Sequence, residues 1–307
     1  MLGLGSCIMG YKIRQFLPDK TYSISSKTVM DLFRLVPSKV VNRVASYWLI
    51  RAARKYEIEI ISFLVMSNHF HFLLRAPKGN ISRFMQLFKA QVARELNREA
   101  NKEGTFWAKR FDAIEVVDDG ALLDRVLYTL CNPAKADLVE TVGEWPGVSS
   151  AAAQLQGQPL SVETFDSTAW KRAGRPANRS SFRKILTLEL YVHRSMKKYD
   201  SPEGRKKLRK LVLEREEEHR KLRQAKRKRV LGRRRVLQMP VTASSREVDR
   251  SPAPPCHAST PEARQEYLVR RAAMLNWYCE ASARYRAGEE GVEFPPGTFP
   301  PWKALAA

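Results

Sequence analysis

Two histidines, His69 and His71, stand two residues apart in a segment whose composition is typical of a β-strand. Successive side chains of a strand point to opposite faces, so both imidazoles should emerge on one face of a sheet. Phe70, Phe72 and Leu74 should then emerge on the other face. The chain has five histidines, and none of the other three has a histidine near it. The segment therefore predicts half of a metal site, backed by a hydrophobic core.

A second pair of functional groups follows later, where Tyr128 and Asn132 are four residues apart in a helical pattern and so share one helix face. If that helix lies on the histidine face of the sheet, Asn132 could supply an oxygen ligand and Tyr128 a hydroxyl. Two imidazoles and an amide oxygen leave open positions on Mg²⁺ or Mn²⁺, which can polarise a phosphate. A tyrosine hydroxyl can attack phosphorus covalently. The alternatives are a buried tyrosine and an asparagine that merely ends the helix before Pro133.

The composition indicates a polyanionic partner. The chain has 307 residues, a net charge of +22 and a pI of about 10.1. Such a charge is most often directed at nucleic acid, although a ribosomal or membrane-surface protein is the alternative. The four cysteines form no C-x-x-C pair, which argues against a zinc ribbon or a disulfide framework. No apolar run approaches the roughly 18–20 residues of a membrane span, so we expect a cytoplasmic, nucleoid-associated protein with no membrane partner.

Hydrophobic periodicity predicts the elements that must position these groups. The expected order is β-α-β-β-α-β, followed by a third helix that begins at Ala121 and is stopped by Pro133. This is the order of a ferredoxin-like split β-α-β core, an α+β fold. The phenylalanine face should meet the first two helices, and the histidines should lie opposite. Besides the histidine strand, we predict strands at 21–26, 57–65 and 113–117 and helices at 37–56 and 81–100.

The rest of the chain suggests a modular organisation. Residues 1–20 are predicted to be an arm, 21–150 the chemistry-bearing domain, and 151–239 a basic helical extension that contacts DNA. A linker over 240–261 and a last helix with a proline-rich tail over 262–307 should follow. A run without acidic residues suggests phosphate contacts, with a solvated helix face as the alternative. The run comprises Lys226, Arg227, Lys228, Arg229, Arg233, Arg234 and Arg235.

Several blocks of the sequence resemble the single-tyrosine transposases with a His-hydrophobe-His motif, above all their REP-associated branch. The blocks occupy residues 66–74, 107–111, 128–139 and 145–150, in the order of that family. The resemblance covers about residues 20–150, and nothing carries over to the remainder. The glycine that usually follows the Asn-Pro block is Asp137 here, and the final Trp-Ser-Ser block is altered.

The resemblance implies specific roles for residues of this chain. His69, His71 and Asn132 would hold the metal, and Tyr128 would be the nucleophile. Separately from these roles, we predict that Arg110 contacts DNA. The implied reaction cleaves single-stranded DNA next to a hairpin, leaving a 5′-phosphotyrosine bond and a free 3′-OH that can rejoin strands. The implied partner is single-stranded or hairpin DNA. Monomeric and homodimeric states both remain open.

The sequence is also compatible with two other hypotheses about function. One is a basic nucleic-acid-binding protein without chemistry, because a ferredoxin-like scaffold hosts many functions. The other is a phosphodiesterase in which metal-bound water attacks and Tyr128 only assists. Separately, Phe106, Trp107 and Trp170 could stack on unpaired bases, although packing in a core is the alternative for each.

Overall fold

The computed structural model describes residues 13–245 and 253–302, and it has a mixed α+β core in the predicted order. Its four strands form an antiparallel sheet in the order β2-β3-β1-β4. The predicted α+β class and element order are therefore confirmed. The core elements are β1 (Thr21–Lys27), α1 (Lys39–Tyr56), β2 (Glu59–Val65), β3 (His69–Arg75), α2 (Ile81–Glu99), β4 (Asp112–Val116) and α3 (Asp119–Lys135).

One face of the sheet is covered by α1 and α2, as the phenylalanine positions predicted. Phe70 and Phe72 of β3 stack at 4.4 Å between ring centroids. Phe88 of α2 meets Phe70 at 5.4 Å and Phe72 at 5.1 Å, both edge to face. Edge-to-face aromatic pairs stabilise a core beyond the burial of their area. This packing fixes which way β3 faces, and thereby directs its histidines to the opposite side.

The opposite face receives α3, which packs on the part of the sheet next to the histidines. Leu73 of β3 shares an apolar cluster with Val126 and Leu130 of α3. The cross-strand register pairs His71 with Ser25 and His69 with Lys27, so polar groups of β1 flank the histidines on this face. This face of the sheet is thus apolar where α3 packs on it and polar around the two histidines.

Helix α3 continues past the point where the sequence predicted its end. Pro133 lies inside the helix, which runs to Lys135, so the prediction that Pro133 stops it was wrong. The proline removes only one hydrogen bond, and the last turn is closed by Leu138 N–H donating to the Pro133 carbonyl at 3.0 Å. Ala136 caps the helix, and Asp137 follows it with a left-handed φ of 55°. Glycine is favoured in that conformation, and an aspartate adopts it here.

Beyond the core, the predicted helices are present, but a β-hairpin was not predicted. The hairpin is formed by β5 (Leu160–Phe165) and β6 (Arg183–Leu188), inside the segment that was predicted to be a basic helical extension. The long basic helix ends at Ala225, before the basic run, and Arg227 within that run has a left-handed φ of 51°. The elements are α4 (Ala151–Gln156), β5 (Leu160–Phe165), α5 (Ser167–Arg172), β6 (Arg183–Leu188), α6 (Pro202–Ala225), α7 (Arg233–Leu237) and α8 (Pro261–Arg286).

Helix α6 packs along α3 and holds its C-terminal end. Leu208 and Val212 of α6 belong to the same apolar cluster as the buried face of α3. The Arg223 side chain is only 4% exposed and pairs with Glu140 and, at 3.8 Å, with Asp137. The backbone joins the two segments as well, since Leu231 N–H donates to the Asp137 carbonyl at 2.8 Å. The extension therefore braces the helix that carries Tyr128.

Segments predicted as arm and linker also contact the core where the structure describes them. Phe16 is 3% exposed, and its N–H donates to the Gly297 carbonyl at 2.9 Å. His257 N–H donates to the Glu115 carbonyl at 2.8 Å, so this segment follows the outer edge of β4. The rest of the predicted arm and linker, residues 1–12 and 246–252, lies outside the described residues. No helix in the described ranges has the length and apolar character to cross a membrane.

Candidate active site

The two histidines of β3 lie on the sheet face on which α3 packs. Their ring centroids are 4.9 Å apart, and the ring planes stand at 88°. Both side chains are partly buried. Two imidazoles this close on one strand can direct nitrogen lone pairs to a common point, which is the arrangement predicted from the sequence.

The orientation of His69 is fixed by a neighbour that the sequence analysis did not single out as a functional residue. The Asn68 amide donates to the Asp31 carbonyl at 3.1 Å and to the Ser245 hydroxyl at 3.2 Å. Its remaining oxygen lies 2.7 Å from Nδ1 of His69. That oxygen can only accept, so Nδ1 carries the proton and Nε2 keeps its lone pair. Such a partner is typical of metal-binding histidines.

Helix α3 brings Tyr128 and Asn132 to the histidines, as the four-residue spacing predicted. The Tyr128 ring stands edge to face with His71, with 5.5 Å between centroids. Nδ2 of Asn132 lies 3.5 Å from Nε2 of His71. A half-turn of the amide would direct its oxygen to the same point. The structure thus gathers all four predicted groups, two from the sheet and two from one helix face.

Two cations flank the Tyr128 ring, and the sequence analysis missed both. Arg125 Cζ lies 4.5 Å from the ring centroid, and Lys135 Nζ lies 4.7 Å from it. They occupy positions three before and seven after Tyr128, so the helical spacing alone places them on its face. Positive charge at this ring favours any negative charge that develops on the phenol oxygen or on a phosphate beside it.

Burial and positive neighbours hold the site histidines neutral. Burial, and next the Lys27 cation, lower the pKa of His69 to about 4. Burial, and next the adjacent His69, lower the pKa of His71 well below its usual value. Burial, and next Arg125, also lower the pKa of Lys135. The imidazoles therefore present lone pairs at neutral pH, the form in which histidine binds metals.

Two imidazoles and one amide could hold a divalent cation and leave open positions on it. The described residues contain no group of three or more His, Cys, Asp or Glu side chains that could enclose an ion. Two imidazoles and one amide would leave sites for water or phosphate oxygens, which is how Mg²⁺ and Mn²⁺ are commonly bound. His69, His71 and Asn132 thus fit the cation predicted from the sequence.

The predicted DNA contacts do not lie among the four site groups His69, His71, Tyr128 and Asn132. Arg110 is exposed in the segment before β4. Burial, and next the charge of Arg110, lower the pKa of Arg14 to about 10. The residues Lys226 to Arg229 follow the end of α6 and are all exposed. The residues Arg233 to Arg235 are exposed on α7, which is anchored by fully buried Val236. The basic run is thus accessible to a polyanion, but on a turn and a short helix.

Two of the three candidate stacking residues pack into the core instead. Phe106 is 4% exposed and belongs to the main apolar cluster. Trp107 packs against the same cluster, and its Nε1–H donates to the Lys89 carbonyl at 2.9 Å. Core packing is therefore the role of both. Trp170 lies elsewhere, on α5.

Comparison with known proteins connects this site to a family. Residues 34–124 match the family described as "Transposase IS200 like", a segment that contains both histidines and ends just before Tyr128. A curated protein of Haemophilus influenzae, named as a REP-associated tyrosine transposase, is 28% identical over 102 residues. That match covers 30% of this chain and 58% of the relative, so the chain spans little more than half of the relative's length.

Solved structures of transposases are also similar in part. A REP-associated tyrosine transposase bound to a REP hairpin is 18% identical, with a TM-score of 0.41 over 48% of this chain and 86% of the other. A transposase of Deinococcus radiodurans is 20% identical, with a TM-score of 0.28 over 38% of this chain and 92% of the other. Because both TM-scores are below 0.5, the family resemblance rests on the sequence comparisons alone. Those comparisons confirm the resemblance of this chain to the IS200-like, REP-associated tyrosine transposases.

Proposed function

We propose that this protein is a divalent-metal-dependent single-stranded DNA transesterase, a transposase that cleaves and rejoins DNA next to hairpins. The observation that carries the proposal is the meeting of Tyr128 with the histidine pair, with 5.5 Å between the Tyr128 and His71 ring centroids. A tyrosine that only stabilised the fold would need neither the two imidazoles nor the two cations at its ring. The resemblance to REP-associated transposases agrees with this chemistry.

The proposed cleavage begins when the Tyr128 hydroxyl attacks the scissile phosphorus. A bond forms between the phenol oxygen and phosphorus, and the bond from phosphorus to the 3′-oxygen breaks. The phenol proton leaves to solvent, and the departing 3′-oxygen takes up a proton to become a free 3′-OH. The 5′-phosphate stays on Tyr128. Attack by a 3′-OH on this ester reverses the sequence, rejoins DNA and restores the phenol without external energy.

The surrounding residues have separate tasks in this reaction. Arg125 and Lys135 stabilise negative charge on the phenol oxygen and the phosphate. Asn68 holds the imidazole of His69 in one tautomer. His69, His71 and Asn132 would hold Mg²⁺ or Mn²⁺, which when bound would polarise the scissile phosphate.

The proposed substrate is single-stranded DNA with an adjacent hairpin. The net charge of +22 favours a polyanion, and the basic run from Lys226 to Arg235 is exposed to contact phosphates. Arg110 is proposed as a further phosphate contact. The name of the Haemophilus influenzae relative, a REP-associated tyrosine transposase, agrees with REP-associated DNA as the class of target.

A covalent-adduct assay tests the proposed nucleophile. Full-length protein is incubated with labelled single-stranded DNA from its own gene flanks and Mn²⁺ or Mg²⁺, and adducts are separated on a denaturing gel. Tyr128→Phe should abolish the adduct and leave hairpin binding intact. Tyr47→Phe is the matched control, because Tyr47 lies on α1, on the far side of the sheet.

The outcomes separate the three hypotheses. Loss of both adduct and cleavage in Tyr128→Phe supports the transesterase. Cleavage by the phenylalanine variant at the wild-type rate would show that water is the nucleophile. Tight hairpin binding by wild-type protein without any metal-stimulated cleavage would favour the non-catalytic nucleic-acid-binding protein.

A further inference from the structure

The β5–β6 hairpin carries two aromatic rings that do not belong to the protein core. Phe165 ends β5 and Trp170 lies on α5, and their ring centroids are 5.7 Å apart at an interplanar angle of 60°. Both side chains are only partly buried. Neither contributes to the three apolar clusters found among the described residues. These rings are therefore partly accessible to solvent at the end of the β5–β6 hairpin.

An arginine joins the two rings into one surface. Arg179 Cζ lies 4.5 Å from the Phe165 centroid and 4.9 Å from the Trp170 centroid. Guanidinium groups and aromatic rings are the surfaces on which proteins stack unpaired bases. We refer to Phe165, Trp170 and Arg179 as the stacking platform.

Exposed cations surround the stacking platform. Lys171, Arg172 and Arg175 are exposed, and no ion pair to them is found within the described part of the chain. The acidic groups of the hairpin are already engaged, because Asp166 pairs with Lys184 at 2.6 Å and Glu163 pairs with Arg183 at 3.0 Å. The tip of the hairpin thus keeps positive charge that the fold does not neutralise.

The rings also stabilise the local loop, since Nε1–H of Trp170 donates to the Pro176 carbonyl at 2.9 Å. That structural task requires the indole, but it does not require three unpaired cations beside it. Unneutralised cations next to partly exposed aromatic rings are the combination used to bind single strands, with phosphates on the cations and bases on the rings.

We propose that the hairpin tip is a second binding site, which holds unpaired nucleotides of a single DNA strand. Bases stack on Phe165, Trp170 and Arg179, and phosphates contact Lys171, Arg172 and Arg175. That the polymer is DNA rests on the proposed function. That the strand is unpaired rests on the stacking platform and the cations of the β5–β6 hairpin. The site lies in the part of the chain outside the matched family segment, residues 34–124.

Binding of a hairpin-free strand tests this site. Fluorescence anisotropy of a labelled oligothymidylate of about 20 nucleotides, in buffer without divalent ions, reports affinity for full-length protein without cleavage. Trp170→Ala should weaken binding about 10-fold with little change in salt dependence, because stacking involves no counterion release. Trp170→Phe keeps an aromatic face and should recover most of the affinity. Trp277→Ala, which removes an indole that is 44% exposed on α8, is the matched control.

The cations have a different expected signature. Arg175→Ala should lower the slope of log affinity against log salt by about 0.7, the value for one phosphate contact on a single strand. Arg286→Ala on α8 removes an equally exposed arginine and should leave the slope unchanged. Because Arg175 is a surface residue, this variant tests the site even if Trp170→Ala disturbs the hairpin. Wild-type affinity in Trp170→Ala, or a wild-type slope in Arg175→Ala, would overturn the proposal.

An adduct assay run in parallel separates this proposal from the transesterase. If wild-type protein forms the Tyr128 adduct while Trp170→Ala binds oligothymidylate normally, only the proposed site on the β5–β6 hairpin is refuted. If wild-type protein forms no adduct while Trp170→Ala binds oligothymidylate more weakly, the hairpin site stands and the transesterase is refuted.

Discussion

Nδ1–H of His69 donates to Oδ1 of Asn68 across 2.7 Å, and the Asn68 amide is itself held by Asp31 and Ser245. The imidazole is therefore oriented by the turn that precedes its own strand and by Ser245, which lies in the segment predicted as a linker. One hydrogen-bond chain links distant parts of the sequence to a candidate ligand.

We expect Asn68→Ala to weaken activation by metal roughly 10- to 100-fold, the usual effect of removing a partner that orients a ligand. The measurement is single-turnover cleavage as a function of Mn²⁺ concentration. Asn97→Ala is the control, since Asn97 donates only to the Gly104 carbonyl in an exposed loop. An unchanged Mn²⁺ midpoint in Asn68→Ala would show that His69 needs no such orientation.

Replacing both histidines should remove the response to metal altogether. In His69→Ala/His71→Ala, we expect DNA cleavage to lose its stimulation by Mg²⁺ or Mn²⁺, because no imidazole remains to bind the ion. Hairpin binding should persist, since the basic run is untouched. His193→Ala is the control, as His193 lies outside the core sheet, before α6. Metal-stimulated cleavage by the double variant at the wild-type rate would contradict the site.

Lys135 offers a test of the charge at the phenol. Lys135→Met should slow adduct formation roughly 10-fold, because it removes a cation 4.7 Å from the Tyr128 ring. Lys135→Arg should keep most of the rate. Single-turnover kinetics at saturating DNA separate this effect from binding. Lys102→Met, an exposed lysine beyond α2, should have no effect on the rate. Equal rates in Lys135→Met and wild type would leave Arg125 as the sole candidate for stabilising charge.

The brace between α6 and α3 can be tested through stability. Arg223→Met leaves Glu140 and Asp137 without their buried partner and should lower the free energy of unfolding by about 2 kcal/mol. This figure is below that for fully buried pairs, because both carboxylates are partly exposed. Arg220→Met removes an exposed pair with Glu217 on the same helix and should cost at most about 0.5 kcal/mol. Denaturant unfolding measures both, and equal losses would mean that the brace adds no more stability than an exposed ion pair.

The core and the four central groups of the site were predictable because local rules determine them. Alternation along a strand placed His69 and His71 opposite Phe70 and Phe72, and four-residue spacing placed Asn132 beneath Tyr128. Arg125 and Lys135 could have been found by extending the same spacing along the helix. These features depend on periodicity within one element, which a sequence displays directly.

Other features depend on contacts between distant segments, and these escaped prediction. The turn at Asp137 that follows α3 is supported by Arg223 and Leu231, which no local pattern connects to it. The pairing of His257 with Glu115 at the edge of β4 likewise has no counterpart in the hydrophobic periodicity of the sequence. The β5–β6 hairpin was missed for another reason, since the alternation of Leu160 and Val162 was present but short and poor in apolar residues.

The packing of α6 on α3 has a practical consequence for anyone who would trim this protein to a minimal nuclease. A fragment ending near residue 150 would match the length of the family-like region, but it would lack Leu208 and Val212 of α6. The apolar side of α3 that these residues cover would then be exposed to solvent. Such a truncated protein should self-associate. The shortest well-behaved fragment that carries the candidate site is therefore expected to reach at least to the end of α6.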